Sequence, residues 1–328
     1  MRLRVVDVKG GVQRLKALRG RSVDLSELLN ELFAEETQYM LTAEGEIRVE
    51  AYDFTGAFMQ DFIMRPEPQF GEVTVYSRSS INMLAHDLRP ETAQLSDLAG
   101  IMKSYGSMIG KAAVAYSGGL DSSVLAHVLR DSSPLLITVG FEQGQDIENA
   151  RSGARELGLE HLVHIISRSE LKEAVETVKP FCHTLMDLSL ASGFFIFGRT
   201  AKENGYNRAV VGQMADELFG GYARHRRAPP EALEGLLRED IKRGIYGLRR
   251  DTRAILMAGV EPLYPYAFRS FFRKAQGLPL SLRREKLGLR KIGELLGVPQ
   301  TIVWKQKKAF QYGSGIERAV REIIRLGI

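Results

Sequence analysis

The chain reads as an α/β protein, with a doubly wound parallel sheet, a helical C-terminal part and a small α+β domain in front. Three observations lead there. Between 111 and 212, short apolar runs alternate with helix-like stretches, the rhythm of right-handed crossovers in a parallel sheet covered on both faces. The first apolar run enters the string Ser117-Gly118-Gly119-Leu120-Asp121-Ser122-Ser123, a strand, a glycine turn and a helix start. Beyond 216 the apolar periodicity becomes helical, punctuated by Pro229, Pro230, Pro262, Pro265 and Pro279.

Taken in order, the strand-like runs fall at 112–116, 135–141, 162–166 and 208–212, each short and apolar. Helices are expected at 121–131, 146–157, 169–179 and 187–204. Further ones follow near 231–244, 267–276, 288–296 and 315–326. Residues 1–105 differ. A helix-like stretch at 25–40 opens with Ser22 and Asp24 as N-cap candidates, and alternating segments follow at 45–52 and 71–77. The expected division is a small α+β domain over 1–105, of unassigned role, and the α/β domain over 106–328, with the boundary near 95–110.

Bulk properties narrow the function classes. The 328 residues are 44% apolar and contain one cysteine, Cys182. That excludes an internal disulfide framework and fits a reducing compartment. No apolar run approaches the ~18 residues that span a membrane, and the first residues lack a signal-peptide core, so the expectation is a cytoplasmic protein without membrane contact. The net charge of +5 is uneven, since residues 201–328 hold 25 Lys/Arg against 13 Asp/Glu. A basic C-terminal third suits a polyanionic ligand such as a nucleotide or RNA.

The turn after the first strand carries the most chemistry. Glycines let backbone approach a bulky anion, and a fresh helix start offers unpaired N–H groups at its positive end. Ser117, Ser122 and Ser123 add hydroxyls. Asp121 would repel phosphate unless a Mg²⁺ lies between them. The spacing and lysine of a Walker A loop are missing. A second motif, Gly212-Gln213-Met214-Ala215-Asp216-Glu217-Leu218-Phe219-Gly220-Gly221-Tyr222, follows the fourth strand. In a doubly wound sheet that strand end faces the same crevice, where Asp216 could share the metal with Asp121.

The first string resembles the pyrophosphate loop (PP-loop) of N-type ATP pyrophosphatases. Paired with Asp216-Glu217-Leu218-Phe219-Gly220-Gly221-Tyr222, it resembles the synthetase domain of asparagine synthetases. Val139-Gly140-Phe141 with Asp146 and Ala150-Arg151 agrees with that family. So do Arg250-Asp251, the stretch from Val260-Glu261-Pro262 to Tyr266, Lys286 to Lys291, and Trp304 to Gly315. The resemblance covers roughly 110–316. It implies that Ser117, Gly118, Gly119, Leu120, Asp121 and Ser122 hold the pyrophosphate of ATP, and that Asp121 and Asp216 bind Mg²⁺. It also implies that Tyr116, Val139, Val211 and Gly212 line the adenosine pocket. Asp121 and Lys307 are the implied catalytic residues, with Lys307 stabilising the charge that grows at the α-phosphate.

Two departures stand out. The family carries Gly-Glu-Gly-Ser/Ala before its Asp-Glu, whereas here Gln213 replaces that Glu and Met214 the second Gly. The family Glu is implicated in handling the incoming amine, and Gln cannot act as a base. Glutamine-dependent members also begin with a glutaminase whose cysteine follows the initiator Met, and position 2 here is Arg2. The expectation is therefore an AMP-forming amide synthase acting on a small carboxylate, with ammonia supplied free or by a separate subunit, or with another amine as acceptor. The alternatives are a PP-loop enzyme that adenylylates a tRNA base, which the basic third favours, and a non-catalytic ATP-binding regulator. His161 and His164 lie three apart on a strand, hence on opposite faces, and read as structural.

Overall fold

The computed structural model describes residues 2–7, 11–17, 39–43, 51–52, 90–142, 145–305 and 315–325. The chain forms two compact units, one of residues 1–92 with 267–277 and one of 93–266 with 278–328. The division at 92–93 precedes the first described helix, whereas the sequence placed it near 95–110.

In the first unit, strands β1 (Arg2–Asp7), β2 (Gly11–Ala17), β3 (Tyr39–Ala43) and β4 (Ala51–Tyr52) pair antiparallel in the order β2-β1-β3-β4. Tyr39 and Met40, expected at the end of a helix over 25–40, instead open β3, where Val5 pairs with Leu41. Cross-strand pairing decided the conformation there, as Tyr and Thr in this segment favour. Residues 25–38, and the alternating segment at 71–77, lie outside the described residues.

The second unit is built on β5 (Ala113–Ala115), β6 (Leu135–Gly140), β7 (His161–Ile165), β8 (Arg208–Val210) and β9 (Glu261–Leu263). All neighbours are parallel, in the order β7-β6-β5-β8-β9. The chain steps one way from β5 to β7 and then returns to the other side for β8. The topological switch point is therefore between β5 and β8, which is where ligands enter folds of this class. Strand β9 was not expected, because Pro262 argues against a central strand. At the sheet edge, paired only with β8, a missing N–H is tolerated.

The described residues form twelve α-helices, eleven in the second unit and one in the first. They are α1 (Leu95–Ile109), α2 (Leu120–Val128), α3 (Gln145–Leu157), α4 (Arg168–Val178), α5 (Leu185–Glu203), α6 (Ala215–Phe219), α7 (Ala223–Arg227), α8 (Pro230–Met257), α9 (Arg269–Gln276, in the first unit), α10 (Leu287–Leu296), α11 (Gln300–Val303) and α12 (Ile316–Arg325). Ser167 with Glu170 and Thr184 with Asp187 form capping boxes that start α4 and α5. Phe194, Phe195 and Phe197 of α5 are buried, as core residues. His161 contacts Thr138 Oγ1 at 2.8 Å, and His164 contacts Glu170 at 2.8 Å. The two imidazoles serve different partners.

Helix α8 runs to Met257, past the 244 at which a break was expected. Gly244 is there for proximity. A Cβ on it would lie 2.8 Å from both Glu217 Cγ and Met214 Sδ. Positions 240, 244, 247 and 251 share one face of the helix, so two glycines sit between Asp240 and Asp251.

Candidate active site

At the β5 end, the Ser-Gly-Gly turn is fixed by sterics. Gly118 has φ +65°, and a Cβ there would lie 2.4 Å from Asn149 O. Only glycine meets both conditions. Gly119, the N-cap of α2, supplies no side-chain cap. The Ser122 hydroxyl accepts from Ser117 N at 3.3 Å and donates to Gly119 O at 3.3 Å. Asp121, Ser122 and Ser123 are buried in the first turn of α2, whose N–H groups and positive dipole end face the strand's carboxyl edge.

The residues expected around adenosine are spread over neighbouring strand ends. Thr138 Oγ1 donates to Tyr116 O at 2.6 Å, and Tyr116 N donates to Ile137 O at 2.9 Å. The Tyr116 side chain turns into the core, sharing a 3.1 Å hydrogen bond with Ser123, and burial pushes its pKa up to about 12. The Tyr116 ring is thus committed to the core. Val139 is buried on β6, and Val211 N donates to Leu263 O at 2.9 Å. Gly212 backs directly onto α2. A Cβ on it would lie 3.3 Å from Asp121 Cβ and 3.5 Å from Ser122 N. The two motifs thus converge at the switch point.

On the β8 side, Met214 takes a left-handed conformation, φ 75°, as N-cap of α6. The glycine that the family keeps here is the residue this backbone favours. Met214 is held there by packing, 1% exposed, with its sulfur against Gly244 of α8. It fills the interface with α8. Gln213 Nε2 donates to Asp251 Oδ2 at 2.7 Å. Arg250 Nε donates to Asp251 Oδ1 at 2.7 Å, and Arg250 Nη1 to Asp187 Oδ1 at 2.9 Å. Asp251 is fully buried, which pushes its carboxyl above the ordinary range while Arg250 and Gln213 pull it down. A glutamate at 213 would face a buried carboxylate, whereas the amide of Gln213 satisfies it.

Asp216 and Asp121 meet across a cation that the sequence did not single out. Lys286 Nζ lies 2.7 and 2.6 Å from the two Asp121 oxygens and 2.6 Å from Asp216 Oδ1. Burial works against its charge, but the two carboxylates hold its pKa above the ordinary lysine value. Gly221 makes room, since a Cβ there would lie 1.7 Å from Asp216 Oδ1 and 2.4 Å from Lys286 Cε. Beside them Glu217 is buried and accepts from Tyr222 Oη at 2.5 Å. Burial, then the Asp216 charge, push its carboxyl up to about 7. Arg224 and His225 both bind the buried Asp240, with the Arg224 guanidinium over the Tyr222 ring.

The donor set at Asp121 and Asp216 suits Mg²⁺ in chemistry, yet the point where both carboxylates converge is taken by an ammonium. Among the described residues no three acid, imidazole or thiol groups gather as a metal cage. Cys182 is no thiolate at neutral pH, because burial and then Asp187 push it up to about 12. Lys307 lies outside the described residues. No helix among them is long and apolar enough to cross a membrane.

Comparison with known proteins places this region. The asparagine synthase family model matches residues 110–253. A Methanocaldococcus jannaschii protein provisionally named asparagine synthetase (glutamine-hydrolyzing) 1 is 28% identical over 66% of this chain and 48% of its own length. Asparagine synthetase B (glutamine-hydrolyzing) of Escherichia coli K12 is 25% identical over 62% of this chain and 41% of its own. In the first of these and the others, the chain spans about half or less of the relative's length. A solved NMN synthetase from Francisella tularensis aligns with 71% of this chain and 87% of its own at 14% identity and a TM-score of 0.38. With the Ser-Gly-Gly turn and the Asp216 motif meeting at one switch point, residues 110–253 are similar to the asparagine synthase family.

Proposed function

We propose that the protein is an ATP-dependent amide synthase that forms AMP and pyrophosphate. A substrate carboxylate oxygen attacks the α-phosphorus of ATP, and the bond to the β-phosphate oxygen breaks, releasing pyrophosphate. An amine nitrogen then attacks the acyl carbon, and AMP leaves. The observation that carries this reading is the convergence of the Ser117–Ser122 turn with Asp216 at the switch point of a domain similar to the asparagine synthase family. The α2 N-terminus and the serine hydroxyls cradle the leaving pyrophosphate. Asp121 and Asp216 would hold Mg²⁺, which when bound screens the phosphate charge. Lys307 enters through the family resemblance alone, as the cation beside the α-phosphate. The amine is ammonia, free or delivered by a separate subunit, or a larger amine, and the site of action is the cytoplasm.

A second reading has a specific observation in its favour. The excess of 25 Lys/Arg over 13 Asp/Glu in residues 201–328 suits tRNA, whose base oxygen would be adenylylated. Pyrophosphate release from Mg·ATP separates the two. Release that requires aspartate and ammonium, with asparagine formed, supports the amide synthase. Release that appears only with bulk tRNA overturns it. ATP binding without release under either condition points to a regulator.

A further inference from the structure

Lys286 occupies a place that has been built for it. Two successive non-glycine residues, Glu285 (φ 54°) and Lys286 (φ 60°), stand in the left-handed region, a strained backbone for residues that carry a side chain. They are held by Glu285 N donating to Gly220 O at 3.2 Å and Lys286 N donating to Phe219 O at 2.8 Å. Arg283 Nε donates to Leu218 O at 3.0 Å. The Arg283–Lys286 segment thus clasps the C-terminal carbonyls of α6, the helix that carries Asp216. Gly221 lacks the side chain that would push Lys286 and Asp216 apart.

The ammonium spends all three of its protons on carboxylate oxygens, two of Asp121 and one of Asp216. Lys286 is only 7% exposed. A divalent cation entering alone would have to evict a buried, fully hydrogen-bonded ammonium and leave it without a partner, which is costly. An entering phosphate gives the ammonium new oxygens to bind. We infer that Lys286 is the resident cation of the Asp121–Asp216 pair in the nucleotide-free protein, and that a divalent metal reaches these carboxylates only together with a nucleotide's phosphates. This rests on reading the crevice as a metal–nucleotide site. It assigns that site an order of entry.

The test is an equilibrium measurement on the full chain without nucleotide, titrating Mn²⁺ and following the free ion by electron paramagnetic resonance. Wild type should bind Mn²⁺ at least about tenfold more weakly than Lys286→Met, in which the acid pair has lost this ammonium. Lys286→Arg keeps a cation and should stay weak. Equal affinity in wild type and Lys286→Met would overturn the inference. If Lys286→Met does not fold by circular dichroism, wild-type crystals soaked in MnCl₂ without nucleotide decide. An anomalous peak between Asp121 and Asp216 overturns the inference, and its absence, with a peak on adding ATP, supports it. None of these readouts involves turnover, so a failure of the amide synthase reading would show separately, in the pyrophosphate assay.

Discussion

The two sides of the crevice are built by opposite means. On the β5 side, glycine stands where φ is positive, a helix begins where an anion is expected, and the Ser122 hydroxyl bonds backbone groups within six residues. On the β8 side, Met214, Glu285 and Lys286 stand in left-handed backbone without being glycine. Asp216 and the buried Asp240 and Asp251 find their partners on other elements of the fold, while the buried Glu217 pairs with nearby Tyr222. The first side is specified largely within one strand–turn–helix unit. The second exists only because the fold brings α8 and the 283–286 segment against α6. Strain and buried charge gather where tertiary contacts can hold them, which is common at functional sites.

The comparison can be broken at Asp121, the residue shared by both sides. Asp121→Asn should lower pyrophosphate release by at least about 100-fold, an effect of the size seen when charge stabilisation at a reacting centre is lost. The far-UV circular dichroism should be unchanged. A fully active variant would remove Asp121 from the chemistry. A smaller effect is expected at Gln213. Gln213→Glu would set a second carboxylate against the buried Asp251 and destabilise the protein by about 2–3 kcal/mol near pH 7. The carboxyl of Asp251 is already raised, so the penalty fades as pH falls from such a raised value toward the ordinary carboxylate range. Urea denaturation of the variant at pH 7 and pH 4.5 checks this, and equal losses at both would show that charge is not the cause.

The smallest effect concerns Glu217. Its folded pKa of about 7 lies above the ordinary value of 4.5, so the folded state keeps a proton that the unfolded chain has released. Its contribution to stability is therefore fully present below pH 4.5 and is lost as pH rises to about 7. Glu217→Gln keeps an acceptor for Tyr222 and should flatten that decline. Thermal unfolding across pH 4.5–7.5 reads the difference, and parallel curves for the two proteins would assign the titration elsewhere.

Much of the β5 side could be read in the chain. Strands at 113–115, 135–140, 161–165 and 208–210 fall within a few residues of the apolar runs, because buried parallel strands are continuous in hydrophobicity. The Gly118 turn announces itself through its string. The β8 side was less legible. Asp216 stood out by its motif, but nothing in the spacing marks Lys286, 165 residues from Asp121, as the cation between them. The helix expected near 231–244 runs on through Gly244, whose close approach to Glu217 is a property of the fold. Pro262 hid β9 for a similar reason, since only the assembled sheet shows that the strand is an edge.

Helix α8 binds the β8 side through buried carboxylates at two points. Asp240 and Asp251, eleven residues and so about 16 Å apart on one helix face, each clamp a different part of the segment that follows β8. Asp251 grips Gln213, and Asp240 grips Arg224 and His225. Two pins of this kind remove both ways in which a packed helix usually slips, rotation about its axis and sliding along it. A single pin would leave a pivot. The segment carrying Asp216 is thereby bolted to a beam at both ends, and any motion that opens this wall of the crevice has to carry α8 with it as one piece.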